Sequence, residues 1–362
     1  MKKFWKKKGN VRIADLGCGS GEGFKLITTI PVSDPIYNKL HFTLSPNQIS
    51  SYLGVDISHS MVQQGRVNYE SIENVKFEQV DLNKGFQLID ERPFDIYFSS
   101  YASFSYLKPD KLQQLVEEIF NHAESGAVVV FDLLGKYSLE WPKYWNETKK
   151  MLPYNMAYLM SAETRNKGPV HWHDVCYWEP SALFSMLYTV AEKTETNIQI
   201  VKSNDRSIFI GRHMETGLFG APCSDYRSKI NHLFDHDYRV NIEHLFINID
   251  WYTEIGKTKP EIWARLLDYK EKWNDVVQLV NALIHGDEKV VSRLIETTSP
   301  DISSELKFLT WLYRNAHRFP AVDFWANVMG PQIAMVLRNI ELSYDHALGC
   351  GHGLLCVIEL LE

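Results

Sequence analysis

The sequence predicts an α/β fold: a doubly wound sheet of seven strands with an antiparallel last strand, plus an α-helical C-terminal region. Strand patterns and helical periods alternate through the first 213 residues, as expected for a mostly parallel sheet covered by helices. A glycine-rich loop at residues 17–21 follows the first strand, where open sheets of this kind bind ligands. From about Pro222 onward, apolar residues recur at helical spacing.

The first five strands are short apolar runs, and three of the segments between them have the apolar spacing of helices. Ser58 or Ser60 suits the N-cap of the second helix, and Pro109 suits the first turn of the third. The fifth strand is apolar on both faces, which favours the centre of a parallel sheet. In chain order, the predicted elements are strand Val11–Leu16, helix Glu22–Ile30, strand Tyr52–Ile57, helix Ser58–Ile72, strand Val75–Val80, strand Phe94–Ser99, helix Pro109–Ala123 and strand Ala127–Leu133.

A hairpin is predicted to complete the sheet. After an aperiodic insertion at residues 135–179, Pro180–Lys193 resumes as a helix. Asn197–Val201 and Ser207–Gly211 follow as two strands joined by a short polar turn. This hairpin would supply the antiparallel strand.

The predicted domain boundary lies at Gly217–Pro222, where two glycines and a proline interrupt the pattern. Residues 1–220 would then form the sheet domain with its insertion, and residues 221–362 a helical domain that covers a substrate pocket or forms an oligomer interface, such as that of a homodimer. Residues 349–355 contain three glycines, and we expect a turn into a last apolar helix there. The other predicted helices are Ser228–Trp251, Pro260–Ile284, Glu288–Thr297, Ile302–Ala316 and Pro331–Ser343.

Charge and composition argue against several classes of partner. The net charge is −7, and an acidic surface repels phosphate backbones, so nucleic acid is not expected as a partner. The lysines among residues 2–8 are interpreted as a solvated terminus. No apolar run reaches the roughly 18–20 residues that span a bilayer, and no signal peptide is recognisable, so no membrane partner is expected.

The cysteines indicate a reducing compartment. They are five in number and scattered, which predicts neither a disulfide framework nor a structural zinc site. We therefore expect a cytoplasmic protein. The positions are Cys18, Cys176, Cys223, Cys350 and Cys356.

The glycine loop carries the first indication of a ligand. Asp15 ends the first strand, and Gly17, Gly19 and Gly21 allow the backbone to turn sharply and to approach a ligand closely. A dinucleotide loop would need glycine or alanine at position 22, which holds Glu22 instead. A pyrophosphate would be repelled by that carboxylate, whereas a cationic ligand would not.

Acidic residues also end the next two strands. Asp56 ends the second strand, where a carboxylate can accept both hydroxyls of a ribose. Asp81 ends the third, where it could accept from an adenine amino group while Leu82 offers its backbone N–H. Because the carboxyl ends of parallel strands share one edge of the sheet, these groups would face one ligand.

These residues resemble the class I S-adenosylmethionine-dependent methyltransferase family, over roughly residues 10–213. The resemblance implies the Rossmann-like methyltransferase fold, S-adenosyl-L-methionine as cofactor and S-adenosyl-L-homocysteine as product. No Asn/Asp-Pro-Pro-Tyr follows strand four, which argues against the subgroup that methylates DNA bases or glutamine side chains. The segment before strand two is also longer than usual. By resemblance the cofactor-binding residues are Asp15, Gly17, Cys18, Gly19, Gly21, Asp56, Ile57, Met61, Asp81, Leu82 and Ser99, with Ser100 beside the transferred methyl.

Candidate catalytic residues lie at the ends of strands four and five and in the insertion. Tyr101 would wall the acceptor pocket and Asp132 would act as a base. His171 and His173 are candidate general bases near neutral pH, although the same histidines would serve equally well as local packing groups. A metal site built on them is a weaker alternative, because no outlying ligand motif supports it.

Other residues of the insertion suggest the character of the pocket. Glu140, Trp141, Tyr144 and Trp145 would give an aromatic-lined pocket suited to an organic acceptor. Farther along, Arg206 and His213 are predicted to face solvent.

The resemblance implies methyl transfer to an oxygen or nitrogen atom of a small-molecule acceptor. One alternative is a peptide or protein acceptor gripped by the helical region. A second is a sensor or scaffold that binds the cofactor without catalysis, which the intact glycine loop and acidic residues disfavour.

Overall fold

The computed structural model describes residues 10–31 and 43–362. The lysines at residues 2–8 and residues 32–42 of the long segment before strand two lie outside the described residues. In the described part of the chain, no helix is long and apolar enough to cross a membrane. The five cysteines are free thiols.

The sheet has the predicted doubly wound architecture. The main strands lie in the order β3-β2-β1-β4-β5-β9-β8. The first five are parallel, and β9 is antiparallel to both β5 and β8. The predicted fold class is therefore confirmed. The strands are β1 (Val11–Leu16), β2 (Ile49–Asp56), β3 (Val75–Gln79), β4 (Ile96–Phe98), β5 (Val128–Gly135), β6 (Met151–Tyr154), β7 (His173–Trp178), β8 (Ile198–Arg206) and β9 (Gly353–Leu360).

The predicted hairpin at residues 197–211 is wrong. β8 runs straight through the expected polar turn, because Ser203, Asn204 and Asp205 are buried there. Their side chains bond a distant segment: Asn204 donates to the Tyr344 carbonyl at 3.1 Å, and Asp205 accepts from the N–H groups of residues 348 and 349 at 2.7 Å. Polar residues that resemble a turn therefore anchor another part of the chain.

The antiparallel strand is the end of the described chain, where a helix was expected. In β9, Cys356, Ile358 and Leu360 are buried, and the residues between them are half-buried. This alternation is the period of a strand. β9 fills the gap between β5 and β8, so the helical residues are inserted between the last two strands of the sheet and do not follow it.

Among residues 10–31 and 43–362, five α-helices cover the sheet domain and its insertion, and six form the inserted helical region. Trp273, Tyr269 and Leu266 lie at the centre of the helical region with no exposed surface. The helices are α1 (Glu22–Thr28), α2 (His59–Asn68), α3 (Pro109–His122), α4 (Ala162–Lys167), α5 (Pro180–Lys193), α6 (Tyr226–His232), α7 (Thr253–Gly256), α8 (Pro260–His285), α9 (Glu288–Thr297), α10 (Pro300–Arg314) and α11 (Gly330–Asn339).

The long helix predicted at residues 228–251 does not form. After α6 the chain makes turns in which Asp235, Asn241 and Asn248 each accept from the backbone N–H two residues onward, at 2.7–3.0 Å. Such local side-chain bonds compete with the helical pattern. The apolar residues of this segment still pack into the core, which explains their helix-like spacing.

The insertion at residues 135–179 contains a two-stranded hairpin that lies over the end of β4. β7 pairs with the last two residues of β5, Leu134 and Gly135. β4 pairs with β5 only as far as Val130, and β9 occupies the other side of β5. Beyond the end of β4, β7 therefore occupies the same side of β5 at the carboxyl edge of the sheet.

Candidate functional site

The glycine loop turns tightly against β2. Gly17 and Cys18 donate to the Val55 carbonyl at 2.8 and 2.9 Å. Gly17 has a φ of +86°, and a Cβ there would lie 2.5 Å from the Cβ of Ser103. Gly19 has a φ of +55°, and no atom lies within 4 Å of the place where its Cβ would be. The loop is thus closed on its protein side and open above Gly19.

Asp15 lies beneath this loop and is fully buried. One carboxyl oxygen accepts from the Tyr52 hydroxyl, and the other, Oδ1, has no hydrogen-bond partner. Burial raises the pKa of Asp15 to about 7; the bond from Tyr52 opposes this shift, and the charge of Asp56 adds to it. A buried carboxyl with an unused acceptor is suited to a cation that also donates hydrogen bonds.

Asp56 links the glycine loop to the end of β2. Its two oxygens accept from the backbone N–H groups of Gly19 and Ser58, each at 2.9 Å. A carboxylate has about four acceptor sites, so half of its capacity remains. Nearby, Ile57 and Met61 leave 60% and 48% of their surfaces exposed, which provides an apolar surface beside Asp56.

Asp81 and Leu82 are half-buried and follow β3. The Asp81 side chain accepts from the N–H and side-chain amide of Asn83, each at 3.1 Å, and caps a short 3-10 helix. It also lies 3.8 Å from the ammonium of Lys84. These local contacts position the carboxylate.

The end of β4 is a strained turn beside the loop. Ser99 is buried and its hydroxyl has no partner. Tyr101 and Ala102 have φ values of 53° and 60°, a left-handed conformation that costs roughly 1–3 kcal/mol for each non-glycine residue. The Ser103 hydroxyl, which lies 3.2 Å from the Gly17 carbonyl, donates to the Ser100 carbonyl at 2.9 Å. Strain of this kind is concentrated at functional sites.

A cavity of about 450 Å³ opens between this turn, α1 and the sheet. Its polar end is formed by Ser99, Tyr101 and the ion pair of Asp132 with Arg206, whose Nη2 lies 2.8 and 2.9 Å from the carboxylate oxygens. Arg206 is predicted to face solvent; its side chain is 40% exposed and also pairs with Asp132. The apolar lining consists of Leu26, Ile27, Ile30, Leu44, Ile96, Phe98, Val130 and Leu355.

The two predicted histidine bases differ in environment. His171 is exposed. His173 begins β7, stacks on Tyr106 with ring centres 5.1 Å apart, and has a buried Nε2 without a partner. Burial lowers the pKa of His173, against the charge of Asp174, so its ring is neutral at neutral pH. Within the described ranges, no group of three His, Cys, Asp or Glu side chains could hold a metal ion.

A buried acidic group lies at the same edge of the sheet. Glu140 is 1% exposed, accepts from His352 Nδ1 at 2.7 Å and also accepts from the His213 backbone N–H. Burial raises the pKa of Glu140. The charge and hydrogen bond of His352, together with those of His213, outweigh burial, so the pKa of Glu140 is lowered. Trp141 lies against His352 with ring centres 5.6 Å apart.

His213 is buried, contrary to the solvent-facing role predicted for it. It is 2% exposed, and neither ring nitrogen meets the geometry of a hydrogen bond; the nearby Asn155 backbone opposes the effect of burial on the pKa of the ring. Burial lowers the pKa of His213 to about 4. Sequence reasoning missed His213, His352 and Arg212, and the only available signal was the unusual density of histidine and aromatic residues.

The chain has detectable relatives. Residues 40–126 match the family described as a methyltransferase domain. The chain is similar to a malonyl-[acyl-carrier protein] O-methyltransferase of Bacillus cereus, with 23% identity over 210 residues that cover 54% of this chain and 70% of the relative.

Among solved structures, the chain is similar to an S-adenosylmethionine-dependent methyltransferase of Mesorhizobium loti. The TM-score is 0.37 at 16% identity, covering 56% of this chain and 79% of the other. A second such methyltransferase, from Clostridium acetobutylicum, gives a TM-score of 0.37 at 14% identity, covering 56% and 82% of the two chains.

Proposed function

Because the chain carries a class I S-adenosylmethionine-dependent methyltransferase domain, we propose that it transfers the methyl group to an oxygen or nitrogen atom of a small-molecule acceptor. The observation that carries this proposal is the cavity of about 450 Å³ whose polar end lies at Ser99 and Tyr101. Cavities of roughly 300–1,000 Å³ with apolar walls and few polar groups are typical of small-molecule sites.

The residues around the glycine loop fit the cofactor. Asp15 offers its unused buried oxygen to the ammonium of the methionine portion, and the open space above Gly19 leaves room for that portion. Asp56 retains acceptor capacity for the ribose hydroxyls, while Ile57 and Met61 offer apolar surface to the adenine. When bound, S-adenosylmethionine supplies a methyl group that its sulfonium makes electrophilic.

On the acceptor side, the chain's own contribution is orientation and exclusion of water. Methyl transfer is an in-line displacement, so the rate depends mainly on how the acceptor atom is held. Tyr101 lines the cavity next to Ser99, and the hairpin of β6 and β7 lies beyond the end of β4. Asp132 is bound to Arg206, and a proton on Asp132 would leave the arginine charge unpaired, so we assign Asp132 to the wall of the cavity and not to proton abstraction.

The Bacillus cereus relative is named an O-methyltransferase, and this supports oxygen over nitrogen as the accepting atom. The limited volume of the cavity, about 450 Å³, supports a small molecule over a folded protein.

The cofactor part of the proposal can be tested by calorimetry. S-adenosylmethionine and S-adenosylhomocysteine should both bind the full chain. Asp56→Ala should weaken binding at least tenfold, because it removes the acceptors for the ribose hydroxyls and the contact that holds Gly19 of the loop. Asp110→Ala, at an exposed position of α3, is the matched control and should bind as wild type does.

The acceptor part requires labelled cofactor and a cell extract separated by size. Label in the small-molecule fraction supports the proposal. Label confined to macromolecules would refute the small-molecule acceptor, and absence of cofactor binding by the wild type would refute the function as a whole.

A further inference from the structure

Arg212 lies beside the end of β4 and has no carboxylate partner in the part of the chain that the structure describes. Its guanidinium lies between two aromatic rings, 5.2 Å from the centre of Tyr101 and 5.3 Å from that of Tyr158. Its one side-chain hydrogen bond joins Nη1 to the Tyr158 hydroxyl at 3.2 Å. No carboxylate of a described residue lies within ion-pair distance of it, although Arg206 nearby is paired with Asp132. A half-buried guanidinium normally acquires an anion.

Unused hydrogen-bonding groups adjoin Arg212. Tyr158 contacts His213 with ring centres 4.9 Å apart, His213 contacts Tyr154 at 5.1 Å, and Tyr154 contacts His173 at 5.8 Å. Both ring nitrogens of His213 and Nε2 of His173 are buried without partners. A folded protein rarely leaves three buried ring nitrogens unsatisfied unless a ligand or water completes them.

Arginines and one buried carboxylate, Glu140, surround these groups. Arg227 packs nearby, and its pKa is lowered by burial and further by the charges of Arg212 and Arg338. The buried carboxylate of Glu140 forms no ion pair with Arg212; its hydrogen bonds come from His352, Ser138 and the backbone of His213. Neutral histidines next to an unpaired guanidinium can donate N–H bonds to an anion, and they add no competing negative charge.

We propose that Arg212, with His213 and His173, binds a carboxylate of the acceptor, and that an oxygen of this carboxylate receives the methyl group. This inference rests on the proposed function and narrows its acceptor from any oxygen or nitrogen to a carboxylic acid. The apolar wall of the adjoining cavity fits a carboxylic acid with an apolar body.

The reaction balances without a base. One carboxylate oxygen uses a lone pair to form a bond to the methyl carbon, the methyl–sulfur bond breaks, and its electron pair remains on sulfur, which becomes an uncharged thioether. No proton moves, and the products are a methyl ester and S-adenosylhomocysteine. Because the ester has no charge, it loses its attraction to Arg212, which favours its release.

Binding can be measured with phenylacetate and its neutral analogue phenylacetamide, by calorimetry on the full chain saturated with S-adenosylhomocysteine. The wild type should bind phenylacetate at least tenfold more tightly than the amide. Arg212→Met should abolish this preference, and Arg212→Lys should retain part of it, because the charge remains while the planar fork is lost. Arg293→Met, on the exposed face of α9, is the control. Thermal unfolding of each variant checks that it folds.

The product distinguishes a carboxylate from a hydroxyl or amine. After transfer of labelled methyl to the small-molecule fraction of a cell extract, mild alkali should release the label as volatile methanol, as it does from methyl esters. Label that survives alkali, as in an ether or amine, would overturn the carboxylate acceptor and leave the proposed function standing. Equal binding of phenylacetate and phenylacetamide by the wild type would also overturn it. Failure to bind S-adenosylhomocysteine would instead count against the proposed function.

Discussion

Replacing Asp15 with asparagine should stabilise the cofactor-free protein at alkaline pH, although it removes a residue of the cofactor site. Burial raises the pKa of Asp15 from its ordinary value of 3.8 to about 7. Between these two pH values the folded protein keeps a proton that the unfolded chain has released. The free energy of unfolding therefore falls as pH rises through this window and stays level above it. Asparagine has no such proton and can still accept from Tyr52.

The shift of about three pH units corresponds to about 4 kcal/mol, at about 1.4 kcal/mol per unit. Roughly two of the three units lie between pH 5 and pH 7, so the stability of Asp15→Asn relative to wild type should increase by about 3 kcal/mol between pH 5 and pH 8. Other titrating groups, such as Glu341 with its pKa raised by burial to about 7, are present in both proteins and cancel in the difference.

The assay is urea unfolding of both proteins at pH 5 and pH 8 without cofactor. Tyr52→Phe serves as a second variant: it removes the hydrogen bond that opposes the shift, so its loss of stability relative to wild type should be larger at pH 8 than at pH 5. A stability difference between wild type and Asp15→Asn that is the same at both pH values would refute the reasoning. Calorimetry at pH 8 should show weaker binding of S-adenosylmethionine to Asp15→Asn.

Three further predictions concern the fold and the buried contacts. Deleting residues 353–362 should abolish folding, measured by circular dichroism and proteolysis, because β9 bridges β5 and β8; a folded truncated chain would contradict this topology. Ala102→Gly should raise the free energy of unfolding by about 0.5–1 kcal/mol, since glycine adopts the left-handed φ of 60° without strain; denaturant unfolding measures this, and a loss of stability would contradict the strain. Glu140→Gln should lower the free energy of unfolding by about 3 kcal/mol, because it removes a buried carboxylate that accepts from His352, Ser138 and the His213 backbone, whereas Ser138→Ala should lower it by about 1 kcal/mol; equal losses in unfolding experiments would contradict the larger contribution of the carboxylate.

The parallel half of the sheet could be predicted from the sequence because its signals are local. Each of the first five strands is an apolar run next to a turn or a helix cap, so a short window contains the whole pattern. The last two strands could not be predicted in this way. The polar residues of β8 acquire their partners from residues 344–349, about 140 positions away, and the glycines around residue 351 conceal the alternation of β9.

The candidate site also has a cofactor half with local sequence signals and an acceptor half that depends on long-range contacts. The cofactor half consists of Asp15, the glycines of the loop and Asp56, which lie at one edge of the sheet. Short hydrogen bonds from the loop to the end of β2 join them. Arg212, His213 and His352 come from the two ends of the inserted helical region, and they reach Glu140 and His173 only through the folded sheet. No spacing in the sequence links these residues, so the prediction identified His173 and Glu140 without their partners.

The position of the helical region has a consequence for how the chain folds during synthesis. β8 ends at Arg206 and β9 begins at Gly353, so β5 and β8 emerge from the ribosome long before the strand that joins them. Until then each strand has an edge of unpaired backbone groups, which is a template for aggregation. The core around Trp273 is formed by the helical region together with Tyr137, Leu139 and Trp145 of the insertion, which precede it in the chain. In the folded protein residues 207 and 352 lie close together, since Ser207 accepts a backbone hydrogen bond from His352 at 3.3 Å. A folded insertion of this kind shortens the effective loop that β9 must close, so mutations that weaken the helices should lower the yield of soluble protein even when they lie far from the sheet.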